Sequence, residues 1–348
     1  MIKSSASGIA ALLLVTAANV SCAQTQDATR EETGQPVFSG GEVAHRFDGH
    51  ESEVTSARFG PGDDRLVTAS RDDTARIWSL ETGEQVLSLS GHSDPVTAAM
   101  FSPDGKQILT ASQDGTARIW DAQTGELRHT LKGHNRGVND AAFDPGGTRV
   151  VTGGQDGDAR VWSVESGETL FRFSAHAAGL ESVTFDPSGA FILTAGSDGS
   201  ARIWSGEEGV QLAVLDDHPG EVSHARFGPR GNHVVATYED REVADGMVVS
   251  SEGAARVWDW KEERLLMELN AEGDSNRVMK AVFSPDGHLV ATAGRFGTAQ
   301  IRNSETGEPI FTLGRHFDSV TAIGFSSGGE RLVTASGNGS VWVWELSR

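Results

Sequence analysis

Tryptophan returns along this 348-residue chain at a nearly fixed interval. Trp78, Trp120, Trp162 and Trp204 stand 42 residues apart, and Trp258 follows after 54. Arg302 occupies the next tryptophan slot, 44 residues further on, and Trp344 closes the series after another 42. A period of about 40–45 residues is one supersecondary unit, which cannot bury an apolar face alone and gains a core by stacking on copies of itself. The chain is therefore read as an array, and function is expected on its surface rather than in one pocket of one core.

Residues 91–131 show the unit plan most clearly. The runs Val96–Phe101, Gln107–Thr110 and Thr116–Trp120 are rich in β-branched, aromatic and alanine positions, and Glu126–Leu131 forms a fourth. Turn residues separate them: Pro103-Asp104-Gly105, Asp114-Gly115 and Thr124-Gly125. Asp-Gly between two such runs is a strong tight-hairpin signal. Four short antiparallel strands per unit make one blade of a β-propeller, which also accommodates the whole length as a single body.

Gly-His, then Phe-x-Pro, then Asp-Gly-x-x-x-Ile-Trp-Asp resembles the WD-repeat β-propeller family, and the resemblance covers residues 42–345 in seven copies. It implies an all-β, seven-bladed ring. The ends agree with that count. Only Glu345-Leu346-Ser347-Arg348 follow Trp344, so the last unit lacks a fourth strand, whereas residues 42–47 read as a fourth strand without its first three. The N-terminal strand is expected to complete the last blade, leaving no open edge in the ring.

Four units repeat a polar set: His50, Thr68, Asp72, Trp78; His92, Thr110, Asp114, Trp120; His134, Thr152, Asp156, Trp162; His176, Thr194, Asp198, Trp204. Hydroxyl, imidazole and carboxylate suggest acyl transfer at first sight. An enzyme needs one such set beside one pocket; repetition describes structure. In the family these residues form a hydrogen-bonded chain within each blade, so the resemblance implies framework, at about 0.5–1.5 kcal/mol net per bond. Six of the eleven histidines (His50, His92, His134, His176, His218, His316) belong to the repeat, and the other five show no ligand spacing. Arg76, Arg118, Arg160, Arg202 and Arg256, two residues before each tryptophan, are framework too. No catalytic, metal or cofactor site is expected.

The departures from the plan are more informative. Unit five carries Glu252 in the aspartate slot, 34 residues after His218 instead of 22. The extra residues fall within Tyr238–Val249 and are expected to build an acidic protrusion holding the only tyrosine. Unit six has Asp274 for the histidine, Phe296 for the aspartate and Arg302 for the tryptophan, keeping Thr292; unit seven has Asn338 for the aspartate. Drift explains this, and so does a working surface. In the family, partners contact the loop face beside each first strand's leading aliphatic residue and just before the tetrad aspartate. Carried over, these slots give Arg277, Met279, Arg295, Phe296, Arg315 and Phe317 as partner-binding candidates, with Glu53, Arg71 and Glu221 as further charged positions and Tyr238 on the protrusion. Elsewhere they hold Thr55, Thr97, Gly137, Gly179, Gln113 and Gln155. Arginine and aromatic side chains dominate binding hot spots.

Formal charge is −20, which disfavours nonspecific contact with nucleic acid or anionic lipid. Cys22 is the single cysteine, so no intrachain disulfide forms. Residues 1–22 read as an export signal, with Lys3 ahead of an apolar run from Ile9 to Ala18. Asn19-Val20-Ser21-Cys22 resembles a bacterial lipoprotein processing site with Cys22 as the lipidated residue, although Asn19 stands where an apolar residue is usual. The other reading is cleavage after Ala23. Residues 24–41 are polar, and the segment 23–41 reads as a tether. The expected protein is a noncatalytic scaffold of the cell envelope, a single ring binding proteins or peptides and meeting the membrane only through a lipid on Cys22. Two rivals stand. One is a hydrolase-type enzyme using Asp140, His224 and Lys280 in the central channel. The other is a small-molecule or glycan binder in the mouth, for which Tyr238, Trp260 and Trp342 are a thin aromatic supply.

Overall fold

The computed structural model describes residues 40–244, 247–270, 277–314 and 316–347, all strand or turn. Cys22, Asp274 and Arg315 lie outside them. Seven antiparallel sheets follow one another, six built in chain order from inner to outer strand and the seventh taking its outer strand from the start of the ring. Blade two is representative: Val96–Phe101, Gln107–Ser112, Thr116–Asp121 and Leu127–Lys132. The first strand of each blade packs against those of both neighbours, and Val54–Phe59 of blade one meets Val320–Phe325 of blade seven, so the ring is closed.

Burial explains the strand composition. Second strands such as Arg65–Ser70 are buried along nearly their whole length, because a neighbouring blade covers each face. They accordingly read as continuous apolar runs rather than alternations. Fourth strands such as Gln85–Leu89 lie on the rim and are mostly exposed. The core is a ring of seven clusters, each straddling two blades: Val67 and Ile77 of blade one pack with Val96, Ile108 and Trp120 of blade two. Blades seven and one join in the same way through Val333, Val343, Val54 and Leu66.

The Asp-Gly turns require their glycines. Gly157 has φ +79°, and a Cβ there would stand 2.4 Å from the His176 carbonyl oxygen. Blade one uses Asp73 at φ 66° in the same place.

The closing strand runs Gly40–Phe47 and pairs antiparallel with Val341–Ser347, Val43 opposite Trp344. It begins two residues before the boundary expected at Glu42. A feature not anticipated from sequence recurs in every first strand: the register slips by one residue next to the leading aliphatic. The bulged residues are Thr55, Thr97, Asn139, Glu181, Ser223, Met279 and Thr321. A bulge re-aims its side chain, and here several reach the next blade. Thr55 donates to the Val96 carbonyl at 2.6 Å, Thr97 to Val138 at 2.8 Å and Asn139 to Leu180 at 2.9 Å. Thr321 donates to Val54 across the ring closure.

Blade five departs most. Its second strand extends over His233–Ala244, and Met247–Glu252 pairs back on it as an extra hairpin arm. Tyr238 is not on that protrusion. It is 8% exposed, 6.0 Å from the His218 ring, with the Arg256 guanidinium 5.1 Å over its face. Strand alternation gives Tyr238 the parity of Val234 and Ala236, which face the core, so it belongs to the blade and is corrected from the partner-binding set.

Candidate functional site

The tetrads have one geometry. In blade two Trp120 Nε1 donates to Thr110 Oγ1 at 2.9 Å, Thr110 Oγ1 lies 2.8 Å from His92 Nε2, and His92 Nδ1 lies 2.7 Å from Asp114. Blades one, three and four repeat it, with His50, His134 and His176 at 2.7–2.8 Å from Thr68, Thr152 and Thr194. Burial holds each of these histidines below the usual imidazole range, outweighing its aspartate. Burial would raise the Asp72 carboxyl, but hydrogen bonds from Thr74, His50 and the Glu51 amide hold it below the usual value. The chain is thus neutral imidazole to charged carboxylate, with the proton on Nδ1 and the hydroxyl donating to Nε2. Each side chain spends its hydrogen-bonding capacity inside the blade.

Three blades vary this motif. In blade seven Ser340 replaces the carboxylate as the partner of His316 Nδ1, at 3.1 Å, and Trp342 stacks on the His316 ring at 4.0 Å with Arg46 4.8 Å over its other face. In blade six Arg302 fills the tryptophan slot, buried, and donates to the carbonyls of Gly307 and Asn270. In blade five Ala236 occupies the hydroxyl slot, opposite Arg256 as Thr68 is opposite Arg76. Neither His218 ring nitrogen nor the Trp258 indole N–H then has a hydrogen-bond partner. The Leu215 and Gly199 carbonyls approach the imidazole outside hydrogen-bonding geometry, and burial pushes His218 down to about 4.

The loop face is organised by one recurring backbone bond. The residue before the tetrad aspartate donates its N–H to the residue before the leading aliphatic: Arg71 to Glu53, Gln113 to Pro95, Gln155 to Gly137, Ser197 to Gly179, Arg295 to Arg277 and Gly337 to Ser319, at 2.9–3.0 Å. In these six blades the two variable slots are therefore adjacent. What fills them differs around the ring. Glu53 and Arg71 pair at 2.8 Å. Gln155 donates to Gln113 at 2.6 Å, and Gln113 to Asn139 at 3.0 Å, closing a polar network over blades two and three. Glu221 is exposed on blade five, opposite Glu239.

On blade six Arg277 is engaged rather than presented. It forms an ion pair with Glu239 of blade five, both side chains mostly buried, and its Nε and Nη2 lie 3.3 and 3.0 Å from the Met279 sulfur. Its part as a partner-facing cation is corrected to a latch between blades, with half-buried Met279 beneath it. Arg295 is exposed, Phe296 is 44% exposed and Phe317 is 96% exposed. The His316 N–H donates to the Gly297 carbonyl at 2.8 Å, which ties the turn carrying Phe296 to the loop carrying Phe317. Two rings and a guanidinium thus share one surface across blades six and seven.

Asp140, His224 and Lys280 do line the central channel, with Arg58, Arg226 and Glu181. Burial and then Arg226 push Lys280 down to about 8, and burial holds His224 well below its usual value. Burial would raise the Asp140 carboxyl, but Arg226, Arg58 and the Val183 amide hold it down. The carboxylate accepts from the Ala141 and Val183 amides at 2.9 and 3.1 Å and from Arg226 at 3.0 Å, so it is not poised as a base. The lining includes no Phe, Tyr or Trp ring for stacking a sugar. Trp260 lies elsewhere, buried against Phe191 and bonded to the Gly231 carbonyl at 2.7 Å. Among the described residues no group of three His, Cys, Asp or Glu is arranged to hold a metal.

Seven four-stranded blades, a closing strand from the opposite end of the chain and the Asp–His–Thr–Trp relay define a β-propeller of the repeat type. The chain belongs to the WD-repeat family: residues 95–226 match the family described as "WDR90, 4th beta-propeller", and residues 41–79 and 307–345 each match "WD domain, G-beta repeat". Each of the latter stretches holds a fourth strand and the next three, so sequence repeat and blade are one strand out of phase. The chain is similar to Periodic tryptophan protein 2 homolog of Caenorhabditis elegans, 35% identical over 92 residues, 26% of this chain and 10% of that protein. Periodic tryptophan protein 2 of Arabidopsis thaliana is 31% identical over 96 residues, 28% of this chain and 10% of that protein. WD repeat-containing protein 1 of Mus musculus is 35% identical over 79 residues, 22% of this chain and 13% of that protein. The chain thus spans only 10–13% of the length of these relatives.

Proposed function

We propose that this propeller is a noncatalytic scaffold that holds a partner protein or peptide on its loop face at blades six and seven. The observation that carries the reading is the exposed set Arg295, Phe296 and Phe317 on two loops joined by a backbone hydrogen bond. Large exposed aromatics beside an arginine are the composition of binding hot spots. They suit a segment with an apolar side chain next to a carboxylate. WD-repeat relatives support an interaction role in general terms, and the inward-turned tetrads support the absence of catalysis.

The proposal includes export. Residues 1–22 would direct the chain to the cell envelope, with either a lipid on Cys22 or cleavage after Ala23. Mass spectrometry of the mature N-terminus separates a diacylated Cys22 from a free Gln24. For the interaction, capture from envelope fractions is compared between the native chain and a variant carrying Arg295→Ala, Phe296→Ala and Phe317→Ala. A partner held by the first and lost by the second is expected. Equal capture by both would refute this face.

A further inference from the structure

The loop face leaves the centre of the ring unassigned. Three cations from three blades enter a channel cavity of about 70 Å³: Arg58 of blade one, Arg226 of blade five and Lys280 of blade six. Two carboxylates share it, and both are already committed to fixed donors. Asp140 accepts from the Ala141 and Val183 amides, from Ser182 at 3.3 Å and from Arg226 at 3.0 Å. Glu181, towards the mouth, accepts from Asn139 at 3.1 Å and Ser197 at 2.7 Å.

The remaining donors find no protein acceptor among the described residues. Arg58 comes only within 3.9 Å of Asp140 and, among the described residues, makes no hydrogen bond. Lys280 makes neither a hydrogen bond nor an ion pair among them. His224 is buried, and its Nδ1 has no partner. Native interiors pair their buried polar atoms, and His224 Nδ1 departs from that rule. Arg58, with 30% of its side chain exposed, and half-buried Lys280 are instead open to the channel and accessible to a ligand there. Two such cations and an imidazole on one cavity, in a chain of net charge −20, run against the overall electrostatics of the protein. The deficit has a definite chemistry: an acceptor with several oxygens and close to two negative charges.

We propose that the central channel binds a small phosphate-type oxyanion, as free phosphate or as the head of a phosphate monoester, between Arg58, Lys280 and His224. The Asp140–Arg226 pair forms the fixed wall behind it, and Ser182, held by Arg226 at 2.6 Å, keeps that wall in place. The room fits the head group, and any organic part of a monoester would extend through the mouth.

The test is isothermal titration of the full chain with inorganic phosphate at fixed ionic strength, chloride being the compensating anion. One site per ring is expected, weakened about tenfold or more by Lys280→Met and by Arg58→Met, since each removes one charged partner. Glu181→Gln removes a competing negative charge and is expected to tighten binding. Circular dichroism confirms that each variant is folded, and Lys280→Arg, which keeps the charge, should retain binding if Lys280→Met does not fold. Absence of saturable phosphate binding by the native chain, or equal affinity in folded Lys280→Met and Arg58→Met, overturns the proposal. Repeating the titration with glycerol phosphate distinguishes the two sources: tighter binding than phosphate assigns the site to a monoester, equal or weaker binding to the free ion.

Discussion

Restoring the missing hydroxyl of blade five should stabilise the protein. Six blades place threonine at the slot that Ala236 occupies: Thr68, Thr110, Thr152, Thr194, Thr292 and Thr334. The acceptor and donor for that hydroxyl are already present, since the His218 and Trp258 rings lie 5.5 Å apart against 6.2 Å for His92 and Trp120. Ala236→Ser would let Trp258 Nε1 donate to the new Oγ and the new O–H donate to His218 Nε2. Two hydrogen bonds at about 0.5–1.5 kcal/mol each give a gain of about 1–3 kcal/mol. Ala236→Thr adds a methyl group that the other blades accommodate and should fall in the same range less any overpacking. Ala236→Val is the control, because it adds volume without a hydroxyl and should be neutral or destabilising by about 1–3 kcal/mol. Urea unfolding followed by tryptophan fluorescence measures all three. A serine variant no more stable than the native chain, or no better than valine, would mean that the two rings do not converge on that slot.

Acid should weaken the ring well before its carboxylates titrate. His218 and His316 are held at about 4, so the unfolded chain takes up their protons first as pH falls through 6.5, and stability declines from there to about pH 4. Each contributes on the order of 3 kcal/mol across that window, read as a falling urea midpoint; a flat profile between pH 7 and 4.5 would contradict it. Lys280 works in the opposite direction. Its folded value of about 8 lies below 10.5, so its charge opposes folding at neutral pH, and stability should rise between pH 8 and 10.5. Lys280→Met in phosphate-free buffer should therefore stabilise by about 1–3 kcal/mol and remove that rise. Arg277→Ala removes the ion pair with Glu239 and should destabilise by about 2 kcal/mol, with a Glu239→Gln double-mutant cycle returning a coupling of the same sign. Coupling near zero would restore Arg277 to the open surface.

Much of this architecture could be read directly from residue order, because period, turn chemistry and the complementary ends are local signals. The Asp-Gly turns demand their backbone, and the Trp–Thr spacing of 10 fixes the pairing of the second and third strands. The bulges were not readable, since one extra residue beside a valine or leucine leaves no mark in composition; their regular recurrence becomes visible only with the ladder in view. Tyr238 could have been placed by its parity with Val234 and Ala236, but an insertion hides the point where the strand leaves the blade. Ala236 is also countable, 18 residues after His218, yet Thr237 stands next to it and makes the slot look filled. Arg277 could not be resolved at all from order alone, because its partner Glu239 lies on another blade, beyond the insertion that breaks the repeat spacing. In sequence a cation in a variable slot looks the same whether it faces solvent or a neighbour.

The pairing of Gly40–Phe47 with Val341–Ser347 also sets a schedule. The strand synthesised first is the outermost of the blade finished last, so blade seven cannot assemble until some 300 residues of intervening chain have been made. Closing a loop of that length costs entropy before it returns any contact, and such long-range pairings are slow. Until then the partial array has two raw edges, one waiting for a strand that already exists and one for a strand still to come. Folding of the ring therefore completes at the last blade rather than blade by blade, and damage to either terminal strand reopens both edges at once.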